Sequence, residues 1–233
     1  MKAILNKKLN KTDKNIHLID EAITCHFKAL KGLPLGKTYF YNLNPDFVLE
    51  LVKEYMAFAP SKPLEDGQAP NSVLKKCSAI LEPLTKAVPG LIDGIFYLAK
   101  VKYIQGDNDV AKNNLQKILD KDPSYSDAHI LMAQIHLKNA DFKAANQSLE
   151  YGLSYNFQIK NHPTYHLIKA RIYKQQGNYQ EALRTLQAAM QLPGVKKASK
   201  ASSSDITIQD RASVYMERAA GDLLHKRQHE ATK

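Results

Sequence analysis

His162 and His166 stand four residues apart, a spacing that can place two imidazoles on one helix face and hold zinc. Pro163 occupies the place where a metalloprotease signature carries its glutamate, and it reads as the first residue of a helix. That leaves His162 in the preceding loop and His166 packed within the helix, and no metal site is expected. Gly32, Gly36, Lys37 and Thr38 approach a phosphate-binding loop, but three residues separate the glycines where four are needed for successive amides to cradle phosphate. The stretch also follows a helical pattern instead of a strand, and Tyr39, Phe40 and Tyr41 open no clear helix, so a turn between helices is expected. Cys25 and His26 are adjacent rather than spaced like ligands, and Cys25 reads as a small buried apolar residue. No Ser/His/Asp or paired-carboxylate constellation can be assembled, so catalysis and cofactors are not expected.

Those residues are carried by helices, and the helices repeat. Leu98, Ala99, Gly106 and Ala111 align with Met132, Ala133, Ala140 and Ala145 at an offset of 34, the tetratricopeptide period. A third copy carries Ala170, Tyr173, Gly177 and Ala182, offset by 37 from the second, so three extra residues fall in the loop around 157–162. The alanines mark where paired helices cross closely and a larger side chain would overpack. Leu115, Ile118, Leu149, Leu153, Leu186 and Met190 fill the remaining apolar positions. Gly106 and Gly177 supply the left-handed turn between helices; in the middle copy Ala140 stands there, and Asn139 is expected to help by taking that conformation. Pro123 stops the second helix of the first copy, and Pro193 and Gly194 do so in the third.

Ahead of the repeats, Ile16, Ile19, Ile23, Phe27 and Leu30 form one face of an amphipathic helix that ends at Gly32 and Pro34. Asn44 caps a second helix with Pro45 in its first turn and Phe47, Val48, Leu51, Val52 and Tyr55 on its apolar face. A Pro- and Gly-rich loop leads to a third helix, with Leu74, Cys77, Leu81 and Leu84 inside and Pro83 bending it. Behind the repeats, 195–205 reads as a flexible Lys/Ser/Ala linker. Ala219 and Ala231 then stand where each repeat carries its pair of alanines, so an incomplete fourth repeat is expected, as in a fragment or shortened form of a longer protein. The expected organisation is all-α and a right-handed solenoid: an N-terminal helical segment 1–43, a degenerate repeat 44–91, tetratricopeptide repeats 92–125, 126–162 and 163–194, the linker, and the partial repeat 206–233.

The 233 residues are 44% hydrophobic, enough for a sizeable core. A net charge of +10 favours acidic partners without identifying them. Two isolated cysteines do not make a disulfide framework and point to a reducing, cytoplasmic compartment. The lysine-rich start lacks the apolar core of a secretory signal, and no apolar run reaches the ~20 residues that span a bilayer.

The stretches NPDFVLELVKEY, VPGLIDGIFYLAKVKYIQGD, DPSYSDAHILMAQIHL and HPTYHLIKARIYKQQG, and the closing HEATK, resemble the tetratricopeptide repeat protein 21 family. That family provides the large repeat subunit of intraflagellar transport complex A. The resemblance implies a non-catalytic scaffold at the cilium or its base, with other complex A subunits as partners, acting in retrograde transport and in receptor entry to the cilium.

The usual repeat groove is lined by first-helix residues, here Phe96, Lys100 and Tyr103, then Ile130, Gln134 and Leu137, then Leu167, Arg171 and Lys174. Such a surface, apolar with a basic end, suits an acidic extended or helical segment, unless neighbouring repeats or the chain's own tail cover it. The carboxylate clamp of chaperone adaptors is absent: Phe96, Lys100, Leu131, Thr164 and Ile168 stand where its residues would. Two alternatives remain open at this point, a peptide-binding adaptor unrelated to cilia and a basic solenoid contacting phosphates through Lys196, Lys197 and Lys200. Against the second, no aromatic stacking platform accompanies those lysines.

Overall fold

The computed structural model describes residues 12–60, 62–64, 68, 71–196 and 212–222. All regular structure among them is helical. The chain divides into two compact units, 1–114 and 115–233, with the division falling inside one helix.

The first unit contains α1 (Thr12–Leu30), α2 (Lys37–Leu43), α3 (Pro45–Met56), α4 (Ser72–Ala87), α5 (Ile92–Gln105) and the start of α6 (Asn108–Lys121). Ile19 and Leu30 of α1, Val48 and Val52 of α3, Leu74, Cys77 and Leu81 of α4 and Leu98 and Val101 of α5 share one buried core, with Ile16, Ile23 and Phe27 packed on its edge. The three- and four-residue steps are therefore what folds this part of the chain. Asn44 caps α3 as expected, its Oδ1 accepting from the Phe47 amide, and it does so from a left-handed conformation at φ 40°.

Three local expectations change, and a fourth gains a detail. Residues 37–43 form the short helix α2, because Leu43 is buried, Tyr39 packs on the core and the Asn42 side chain donates to the Thr38 carbonyl. Phe47 is exposed beside the His26 ring, while Leu49 takes the buried place on α3. Cys25 is exposed on α1, since the buried stripe runs through Ile19 and Leu30; Cys77 is the cysteine in the core, and burial pushes its thiol up to about 12. The second helix of the third copy ends at Gln191, just ahead of Pro193 as expected, and Pro193 then opens the four-residue helix α11 (Pro193–Lys196), in which Val195 is buried.

The second unit holds the end of α6, then α7 (Ser126–Lys138), α8 (Phe142–Tyr155), a 3-10 turn (Phe157–Asn161), α9 (Pro163–Gln175), α10 (Tyr179–Gln191), α11 and α12 (residues 212–222). The three extra residues of the third copy fall in the 3-10 turn, whose Ile159 is buried in the core of α7, α8 and α9. At the place equivalent to Ile118 the second copy has Gly152, and the Ile159 side chain lies against it. The alanines behave as close crossings require: Ala99, Ala111, Ala133, Ala145, Ala170 and Ala182 are all fully buried.

The turn between helices is built identically three times. Gly106, Ala140 and Gly177 adopt φ of 90°, 57° and 74°. The next amide bonds back to the carbonyl five residues earlier, Asp107 to Lys102, Asp141 to His136 and Asn178 to Tyr173, each at 2.9 Å. It is Ala140 itself that turns left-handed, with Asn139 at φ −82°, because that backbone bond fixes the position following the helix whatever residue occupies it. Asp107, Asp141 and Asn178 then cap the second helices, accepting from the amides of Val110, Ala144 and Glu181.

Candidate protein-interaction surface

The nine groove residues divide between the two units. In the first, Phe96, Lys100 and Tyr103 lie along α5 on steps of four and three. Lys100 is exposed, Phe96 is half-buried with its ring 5.7 Å from that of Tyr97, and Tyr103 packs on the core. Next to them Lys102 is held by Glu82 at 2.7 Å.

In the second unit, Ile130 on α7 and Leu167 on α9 are buried in separate cores, so their area goes to stacking. Gln134 and Leu137 are half-buried. Arg171 is exposed and Lys174 half-buried, and both meet one acid of α12: Lys174 Nζ donates to Glu217 Oε1 at 2.7 Å, and Arg171 Nε to Oε2 at 3.2 Å. Burial alone would raise the Glu217 pKa, but the bond from Lys174 and the two cationic charges outweigh it and hold the carboxyl below the usual range. Val214, one turn earlier, is fully buried with Leu167, Ala170, Ala182, Leu186 and Ala189. The basic end of the surface in this unit is therefore occupied by the chain's own helix. Nothing near Arg171 in sequence announces this, because Glu217 lies 46 residues away.

The residues weighed for metal binding do structural work. His162 Nδ1 accepts from the Thr164 amide and caps α9, while His166 Nε2 donates to the Lys160 carbonyl at 2.7 Å. A carbonyl only accepts, so Nε2 must carry the hydrogen. In the preceding copy, His129 Nε2 donates in the same way to the Pro123 carbonyl at 2.8 Å. Each imidazole thus ties a first helix to the loop leading into it, across the same span of six residues. Leu131, Thr164 and Ile168, where a carboxylate clamp would stand, are buried. Lys197, Lys200 and Ala231 lie outside the described residues, as does most of the expected linker.

Family models agree with this architecture. The model described as tetratricopeptide repeat protein 21 second ARM domain matches residues 1–140, and that described as tetratricopeptide repeat protein 21 ARM repeat matches 157–233. A further one, anaphase-promoting complex, cyclosome, subunit 3, matches 105–189. Tetratricopeptide repeat protein 21B of Mus musculus is 44% identical over 99% of this chain, and tetratricopeptide repeat protein 21A of Homo sapiens is 38% identical over 99%. The chain spans 18% of the length of each. Among solved structures, a tetratricopeptide repeat protein from Parabacteroides merdae superposes with a TM-score of 0.58 at 16% identity, over 92% of this chain and 72% of that one. A thermophilic repeat protein from Thermus thermophilus gives 0.55 at 15% identity, over 93% and 96%. At these identities the structural likeness speaks to fold alone.

Proposed function

This chain belongs to the tetratricopeptide repeat protein 21 family, and on that premise we propose that it acts as a non-catalytic scaffold segment of intraflagellar transport complex A, in retrograde ciliary transport and receptor entry. The observation that carries the scaffold reading is the burial of both crossing alanines in each of three successive helix pairs. Among the described residues stacking consumes the apolar stripes, and what remains is helix surface, suited to contacting other proteins. The ciliary part of the proposal is supported by the family membership. On this reading Phe96, Lys100 and Tyr103 contribute to a contact surface in the first unit, and Gln134 and Leu137 in the second, where Arg171 is taken up by Glu217.

Purification of the tagged chain from ciliated cells, followed by mass spectrometry, should return several complex A subunits. Lys100→Glu should reduce that recovery while leaving the helical circular dichroism intact. Soluble, folded chain that returns none of the subunits sinks the ciliary reading.

A further inference from the structure

Between Ala22 and Pro45 the sequence contains no aspartate or glutamate, and Lys28, Lys31 and Lys37 stand within it. All three lysines are exposed, and none forms an ion pair among the described residues. The same stretch and the residues that follow it hold large apolar side chains in water: Leu35 is 82% and Tyr41 83% exposed, with Phe40 and Phe47 also at the surface. The helix α2 produces this display. It buries Leu43 and packs Tyr39 on the core, and at steps of three and four Lys37, Phe40 and Tyr41 share its other side.

These residues frame an open cleft of about 720 Å³, lined by His26, Phe40, Tyr41, Asn44, Pro45 and Phe47. Its walls are fixed before any ligand arrives, which lowers the ordering cost of binding. His26 Nε2 donates to the Leu43 carbonyl at 2.8 Å, tying α1 to the junction of α2 and α3, and the imidazole lies 5.2 Å from the Phe47 ring. Asn44 caps α3 at the floor of the same junction.

Charge decides the occupant. The frame from 22 to 47 sets three lysines against one acid, Asp46. The chain's own start does not suit it, because residues 1–11 carry Lys2, Lys7, Lys8 and Lys11 and no acid. Glu65 and Asp66 follow Leu64, whose amide is bonded to the Ile104 carbonyl past the other end of α3, a helix about 18 Å long. Nor is the cleft a stacking surface: the side of α1 turned from the core exposes His17, Glu21, Thr24, Cys25 and Lys28, which offer another helix no apolar stripe.

We propose that this cleft is a docking site for an extended acidic segment of a partner protein that carries a bulky apolar side chain among its carboxylates. The apolar side chain enters beside Tyr41, Phe47 and His26, and the flanking carboxylates meet Lys37 and the lysines at the end of α1. The proposal rests on the scaffold reading and names the chemistry of one partner that the scaffold holds.

The test uses the full chain and the labelled peptide Glu-Asp-Glu-Phe-Glu-Asp-Glu, followed by fluorescence anisotropy. Saturable binding that weakens with added salt is expected, reduced about ten-fold or more by Lys37→Glu, by Tyr41→Ala, and by serine in place of the peptide's phenylalanine. Both substitutions fall on exposed positions, so circular dichroism should be unchanged. Absence of binding, or binding indifferent to both substitutions or to loss of the phenylalanine, overturns the proposal. Binding seen only once Ile4 and Leu5 are both changed to serine would assign the cleft to the chain's own N-terminus. Co-sedimentation with phosphatidylserine vesicles that both substitutions abolish, with no peptide bound, would assign it to a membrane surface; either result also overturns the proposal. Recovery of complex A subunits alongside failed peptide binding sinks this site alone, whereas peptide binding without that recovery leaves the site standing and sinks the ciliary reading.

Discussion

Glu217 accepts from Lys174 at 2.7 Å with both side chains largely shielded from water, so one carboxylate of α12 anchors that helix to α9. Replacing it with glutamine leaves Lys174 without its charge partner in a half-buried setting, at a cost of about 1–2 kcal/mol. The loss should appear as faster amide hydrogen exchange over 212–222, with α7 and α8 unaffected. Because the folded-state pKa is lowered, this contribution is complete above the unfolded value of about 4.3 and is lost as pH falls through the folded one. Wild type should therefore release α12 in acid, and Glu217→Gln should show α12 already loosened at neutral pH.

His166 predicts a second pH dependence of different origin. Burial lowers its pKa, and the neighbouring Lys160 charge adds to this, against the hydrogen bond to the Lys160 carbonyl. The unfolded chain thus binds more protons than the folded one just below about pH 6.5, and stability falls as pH drops through that window. Urea unfolding at pH 7.5 and 5.5 should show a smaller difference for His166→Gln than for wild type. Equal differences would mean that the imidazole takes up its proton as readily in the folded chain as in the unfolded one.

The crossing alanines give a paired prediction. Ala170→Leu places three extra heavy atoms between α9, α10 and Val214 and should cost about 1–3 kcal/mol. Ala219→Leu, at the same register on an exposed face, should change stability by less than about 0.5 kcal/mol. Thermal unfolding of the two variants decides it, and equal destabilisation would mean that the register of α12 has been misread.

Much of this was legible in the residues. The alanine offsets of 34 and 37 place the six alanines of three close crossings, and the extra three residues fall where the 3-10 turn forms. Apolar steps of three and four located the core of α1, α3 and α4 because periodicity reports which face is buried. It does not report which borderline residue is left outside, hence Cys25 and Phe47. The groove was less legible: burial of Ile130 and Leu167 and pairing of Arg171 depend on helices tens of residues away in sequence. The left-handed turn was readable at Gly106 and Gly177 but disguised at Ala140, where the backbone bond from Asp141 imposes a conformation that alanine disfavours.

That alanine makes a prediction of its own. Ala140→Gly removes the Cβ penalty at φ 57° and should stabilise the second unit by up to about 1 kcal/mol, read as a raised urea midpoint. An unchanged midpoint would indicate that the greater freedom of glycine in the unfolded chain offsets the relief.

Gly152 reverses the usual expectation for a helical glycine. Within a helix, glycine to alanine normally stabilises by about 1 kcal/mol. Here a Cβ would lie 2.6 Å from Ile159 Cδ1 and 2.8 Å from His129 Cβ. The isoleucine is buried in the core, and the imidazole of His129 is bonded to the Pro123 carbonyl, so neither neighbour can withdraw freely. Gly152→Ala should therefore destabilise by about 1–3 kcal/mol. Ile159→Ala alone should cost about 2–4 kcal/mol through the cavity it leaves. Combined, the two changes should be less damaging than their sum by about 1 kcal/mol, because shortening Ile159 removes one of the two collisions while that with His129 persists. Strict additivity in this double-mutant cycle would show that the 3-10 turn shifts as a whole to admit the new methyl, and that Gly152 is not what fixes its position.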